Sequence, residues 1–169
     1  MTKGKIIFLL ILIGFVIYSN GLLNKFVWDD EEQVINNVLV HSITNIPSFF
    51  QGSTFNTGGS GSLGGLYYKP MMSVSFSFLY TIFGQNAFFF HLLQLIIHII
   101  NSIFVFLIFN YFFKKFQNGG LISFFLSLVF LIHPINTEAV IYIASMQDVL
   151  FFFFGIFALW IAMKKANSF

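Results

Sequence analysis

An all-α, polytopic membrane protein with four transmembrane helices is the fold class this sequence predicts. Three observations predict it. The 169 residues are 57% hydrophobic and only 8% charged, against roughly a quarter charged in a soluble domain, so the surface cannot face water all round. Long apolar runs recur along the chain. Its lysines gather at the ends of those runs. A net charge of +2 that comes from segment ends speaks of topology, not of nucleic-acid binding. The absence of Cys excludes a disulfide framework, a thiolate metal site and a Cys nucleophile.

Lys3 and Lys5 precede the apolar run 6–23, about 27 Å as a helix and close to the ~30 Å hydrocarbon core. A secretory signal peptide starts the same way. Tyr18-Ser19-Asn20-Gly21 is a poor cleavage site, and further apolar runs follow, so the run is read as an uncleaved anchor. The polar stretch 24–70 comes next. Within it, 33–50 mixes apolar and polar residues as a helix lying on the membrane surface would, with Pro47 expected to end or kink it. The Gly- and Ser-rich stretch 51–65 reads as a mobile loop, either gating a substrate or simply connecting.

The apolar run 71–83 is only about 20 Å long as a helix, short for a span, and carries Ser73, Ser77 and Thr81 on one face. Gly84-Gln85-Asn86 breaks it. The clearest span is 87–113, ahead of Lys114-Lys115; a third is 116–133, ending at His133-Pro134. The fourth, 149–163, precedes Lys164-Lys165 and is open to lengthening through 139–147.

Lysine placement tests the topology, because cytoplasmic loops carry the excess of Lys and Arg. With Lys3 and Lys5 inside and 71–83 held in the interface, both later lysine pairs fall inside and the clustered acids fall outside. If 71–83 crossed, both pairs would lie outside. The expected domain is therefore one membrane unit with a large outer loop, 24–86, carrying interfacial helices.

Four of the six acidic residues stand together as Asp29-Asp30-Glu31-Glu32, a few residues from the bilayer surface. A carboxylate there could take the proton of an attacking hydroxyl or help hold a divalent cation beside a phosphate. As a bland alternative, the acids form a solvated patch. Lys69, before Pro70, is the only basic residue between Lys25 and Lys114. It could pair with a lipid phosphate or simply snorkel to the headgroups.

His91, Gln94, His98 and Asn101 fall on one face of the second span. The two histidines lie about 10.5 Å apart along the axis, too far to share a metal, and helix-packing hydrogen bonds are their expected role. His133, Glu138 and Asp148 gather at the outer end of the third and fourth spans. No metalloprotease or Cys/His metal spacing is present. Gly58-Gly59-Ser60-Gly61 lacks the Lys and the strand–helix setting of a nucleotide loop.

In order, Trp28-Asp29-Asp30, Tyr68-Lys69-Pro70, Gly84, His91, His98 with Asn101, His133-Pro134-Ile135-Asn136-Thr137-Glu138-Ala139-Val140 and Asp148-Val149-Leu150 resemble the front of the integral-membrane (GT-C) glycosyltransferases. The likeness is greatest to the transmembrane tetratricopeptide-repeat mannosyltransferases and their bacterial relatives. The His-Pro…Thr-Glu-Ala-Val stretch is the most specific part. This resemblance implies a partial GT-C-like fold, with a catalytic acid at Asp29 or Asp30 and Lys69 at the lipid phosphate. His91, His98, His133, Glu138 and Asp148 would be supporting polar residues.

The implied partners are a polyprenyl-phosphate-linked sugar, a protein or glycan acceptor and the bilayer, with a divalent metal ion as the open cofactor question. Related transferases often carry Glu where Tyr68 stands, and Arg within the stretch occupied here by Ser145-Met146-Gln147. Such enzymes have ten or more spans, so the chain is expected to be an N-terminal fragment of one. The expected location is a multi-pass position in the plasma (inner) membrane if the source is bacterial, with the N-terminus cytoplasmic. The rival expectation is a non-catalytic four-helix assembly partner or a transporter fragment; a transporter should show internal repeats, and none is visible.

Overall fold

A computed structural model describes residues 2–56, 64 and 67–166. Helix α1, Lys3–Tyr18, tightens into a 3-10 turn at Ser19–Leu23. Helix α2, Pro70–Phe83, has Pro70 in its first turn, where the missing N–H costs no helical bond. It stops at Gly84, whose φ of 60° is open to a residue without a Cβ. Helix α3, Ala87–Phe112, starts beneath Asn86, whose side-chain oxygen accepts from the Phe88 N–H at 3.2 Å. Helix α4 is Gly119–Ile132, α5 is the short Thr137–Ile141, and α6 is Met146–Ala166. Gly119 is obligatory: a Cβ there would come within 1.9 Å of the Phe113 carbonyl oxygen.

Helix α3 is the central post. Tyr18 packs edge-on against His98, and a Cβ on Gly14 would press on Ile99, so α1 runs antiparallel to α3. Ser102 donates to the Ser127 carbonyl and His98 meets the Leu131 carbonyl, so α4 is also antiparallel. Asn101 donates to the Val149 carbonyl, and Phe104 meets the rings of Phe153, Phe157 and Trp160, so α6 runs parallel to α3. The end of α1 and the start of α3 therefore lie at the same end of the bundle. Helix α2 packs on the start of α3, Phe76 against Phe90 and Phe83 against Phe89.

Among the described residues three helices, Lys3–Leu23, Ala87–Phe112 and Ile143–Ala166, are long and apolar enough to cross a membrane. The pair Gly119–Ile132 and Pro134–Ile141, bent by 46°, makes a fourth if it counts as one span. The chain is an all-α, multi-pass membrane protein, with no strand among its described residues.

Several expected boundaries move. The run 116–133 becomes a helix only from Gly119, because Lys114–Asn118 is spent on turns. The fourth span lengthens upstream as far as Ile143, through a 3-10 turn, Ile143–Ser145, that runs into α6. Tyr142 is extended and separates this stretch from α5, so the lengthening does not reach 139. The surface helix expected over 33–50 is instead a π-type turn, Glu31–Ile35, followed by 3-10 helices Val38–His41 and Ile43–Phe50. Their apolar side chains Val34, Val40 and Phe49 are buried with Phe76 and Phe90, in the protein's own core. Of the stretch 51–65, residues 57–63 and 65 lie outside the described residues, and with them Gly58-Gly59-Ser60-Gly61.

Candidate functional site at the loop-bearing end of the bundle

The site is built on a break in α4. Pro134 has no N–H to give the Phe130 carbonyl, and a helix end orphans further carbonyls. Asn136 Nδ2 donates to the Phe130 oxygen at 2.7 Å. The Leu131 oxygen receives both the Tyr18 hydroxyl and the His98 Nε2, each at 3.0 Å. His133 Nδ1 accepts from the Ile135 N–H at 3.2 Å, which caps the turn. The His-Pro-Ile-Asn motif thus turns the chain sharply while the Phe130 and Leu131 carbonyls keep partners, and His98 and His133 are used in that turn.

The next break is pinned from α3. Gln94 Nε2 donates to the carbonyls of Ala139 and Tyr142 at 2.6 and 2.7 Å. Its Oε1 is buried without a partner. His91 is buried beside the backbone of Asn24 and Ile141 without closing a hydrogen bond to either. The polar face of α3 therefore holds the backbone of α4, α5 and α6 in place.

Onto this platform folds the acidic loop. Trp28 adopts φ 49°, a left-handed conformation rare for a bulky residue and a mark of local strain. The turn it makes is closed by Asp30, whose side chain accepts from the Val27 N–H at 3.2 Å. The other Asp30 oxygen accepts from the Ala144 N–H at 2.7 Å, 114 residues away. Asp30 is fully buried. Burial pushes its pKa up to about 6; the bonds from Ala144, Val27 and Ile143 pull it down, and the charge of Asp29 adds to the rise.

Asp29 contrasts with it: the side chain is exposed, its N–H donates to the Tyr142 hydroxyl at 3.2 Å, and its carboxylate also acts on that hydroxyl. Burial, then the nearby Asp29 charge, raises the pKa of Tyr142. Glu31 is exposed, and Glu32 accepts from Asn36 at 2.9 Å. The four acids do not converge. Among the described residues, no three His, Asp or Glu side chains are grouped to hold a metal ion, so the acidic run does not by itself fit a divalent cation.

Lys69 reaches the site from the far side of the loop. Its N–H donates to Thr54 Oγ1 at 2.8 Å, and Thr54 is itself tied to Tyr67 through backbone N–H to carbonyl at 2.9 Å. The ammonium lies 5.1 Å from the Tyr67 ring centroid. Lys69 and Asp148 line one groove of about 530 Å³ between the start of α2 and the start of α6, floored by Met72, Leu150, Phe151 and Phe154.

A second groove, of about 870 Å³, is lined by Lys25, Trp28, Ile135, Glu138 and Tyr142. The structure thus brings Lys69 to Asp148, Glu138 to Trp28, and Asp29 and Asp30 to the turn just ahead of Asp148. Sequence reasoning missed Tyr142 and Thr54, which hold Asp29 and Lys69. Tyr142, an aromatic just past the Thr-Glu-Ala-Val stretch, was the one readable signal.

These features define a class: a multi-pass helical membrane protein with an acid loop and a Lys-Pro groove at one end. Within that class the chain is similar to protein O-mannosyl-transferases. It is 33% identical to TMTC1 of Mus musculus over 136 residues, 79% of this chain and 14% of that protein. Similarity to human TMTC3 is 29% over 153 residues, 89% and 16% of the two chains. Against F38B6.6 of Caenorhabditis elegans it is 25% over 160 residues, 93% and 23%. The chain thus spans under a quarter of the length of these relatives, and the resemblance to GT-C-like mannosyltransferases holds over most of its own length. Neither a protein-family model nor a solved structure matches it.

Proposed function

We propose that this chain forms the donor- and acceptor-facing part of a membrane glycosyltransferase. The sugar, mannose by likeness to the names of its relatives, passes from a polyprenyl-phosphate carrier to an acceptor hydroxyl on a protein or glycan. The observation that carries the reading is the groove that Lys69 and Asp148 share with an apolar floor of Met72, Leu150, Phe151 and Phe154. A polyprenyl phosphate has that division, a charged head on an apolar tail.

In the reaction, the acceptor oxygen attacks the anomeric carbon while Asp29 takes its proton. The bond from that carbon to the phosphate oxygen breaks, and its electron pair leaves on the phosphate. Lys69 stabilises the charge that develops there, an electrostatic contribution that is strong away from bulk water. Asp29 is favoured over Asp30 because it is exposed, whereas Asp30 spends both oxygens on backbone N–H groups. Asp30 is a positioning residue.

The lysine-bearing end faces the cytoplasm by the excess of positive charge there, and the acid loop faces out. In a bacterial source the membrane is the inner one. The test uses membranes containing the protein as its gene encodes it, a labelled polyprenyl-phosphate mannose and a Ser/Thr-rich peptide. Transfer should be lost in Asp29→Asn and Lys69→Gln; full transfer in both variants would overturn the proposal.

A further inference from the structure

The opposite end of the bundle carries a second site, independent of the reading above. Lys3 at the start of α1, Lys114 just past α3 and Lys164 near the end of α6 line one concave groove of about 200 Å³, with Asn110, Tyr111, Trp160, Leu107 and Met163. Three cations, at the ends of three different helices, line one space. Two lie against ring faces: Lys114 Nζ is 4.3 Å from the Tyr111 centroid and Lys164 Nζ 5.4 Å from that of Trp160. Rings under ammonium groups help to fix where the charges sit.

Among the described residues no Asp or Glu side chain answers them. All six acids fall at positions 29–32, 138 and 148; along α6 alone, Asp148 lies about 24 Å from Lys164. Like charges facing one another across a small groove raise its positive potential, which an anion relieves.

We infer that this groove binds the phosphate of an anionic lipid headgroup. Basic pockets between transmembrane helices are suited to such headgroups. Its size falls below the several hundred Å³ typical of a drug-sized ligand site, enough for a headgroup and not for a whole lipid. The lipid source is favoured over free phosphate by the groove's apolar members, Leu107 and Met163, against which an acyl chain can lie. Only half of the chain's clustered lysines take part. Lys5, Lys115 and Lys165 sit beside the three lining residues in sequence but do not line the groove.

That difference supplies the experiment. The chain has two tryptophans, so a Trp28→Phe background leaves Trp160 as the reporter. The protein is placed in nanodiscs of phosphatidylcholine with rising phosphatidylglycerol, and Trp160 emission is followed. The expected result is a saturable shift specific to phosphatidylglycerol. The triple variant Lys3→Gln/Lys114→Gln/Lys164→Gln should move its half-point at least about tenfold. Lys5→Gln/Lys115→Gln/Lys165→Gln, with the same change in charge on the same face, should leave it in place. Equal weakening by both triples would reduce the effect to diffuse surface charge and overturn the site. So would an absent preference for phosphatidylglycerol. The same shift from millimolar inorganic phosphate in pure phosphatidylcholine discs would overturn the lipid assignment.

Discussion

The two ends of this bundle solve opposite problems. At the lysine end α3 and α4 are joined by a short turn, and two of the cations there lie over aromatic rings. At the loop end the chain breaks repeatedly, at Pro134, at Tyr142 and at the strained Trp28, and nearly every break is answered by a buried side chain. Asn136, His98, Gln94 and Asp30 each serve backbone groups of another segment or turn. A backbone carbonyl or N–H left bare near a membrane interior is costly, so a rigid irregular end needs such partners, whereas a short, solvated turn does not. The acids show the contrast at close range. Asp30 is consumed in holding the loop; Asp29, its neighbour, keeps an exposed carboxylate.

The sharpest way to break that contrast is to exchange the roles of the two acids. Asp29→Asn should reduce sugar transfer by roughly 10²- to 10⁴-fold, the range of a lost general base, while shifting stability by no more than about 0.5 kcal/mol. Asp30→Ala should do the reverse in kind. It strands the Val27 and Ala144 N–H groups and should lower stability by about 2–4 kcal/mol, seen as a drop in Tm in detergent.

A pH titration sharpens the same point. Because the folded pKa of Asp30 lies near 6, above its usual 3.8, the folded protein holds this proton more tightly than the unfolded chain. Its contribution to stability is full below about pH 4 and is lost as pH rises through about 6, by up to about 3 kcal/mol. Tm of the wild type should fall across that window relative to Asp30→Asn, in which this component is absent. The smallest effect belongs to Asn136→Ala, which leaves the Phe130 carbonyl unpaired at the α4 break. It should cost about 1–2 kcal/mol and slightly weaken every function at that end.

The apolar helices and their general order were legible because long apolar runs report directly on the bilayer. The break at His133-Pro134 was legible too, since proline cannot continue a helix. The segment 33–50 was not. Its mixture of apolar and polar residues fits a surface helix as well as a chain folded over α2, and only the burial of Val34, Val40 and Phe49 separates the two.

At the site, the acid run and Lys69 stood out as types of residue in the right order. What each acid does was hidden, because Asp30's deciding partner is a backbone N–H at Ala144. Backbone groups carry no sequence signature. Thr54 and Tyr142 escaped for the same reason, being chosen by a fold that links residues far apart in the chain.

The most direct test is to map where the lipid carrier sits, using a photoreactive polyprenyl phosphate in membranes and peptide sequencing of the cross-linked chain. The account predicts adducts along Met71, Met72, Phe151 and Phe154, lost in Lys69→Gln. Adducts confined to the Trp28–Glu138 groove, or labelling that ignores Lys69, would contradict it.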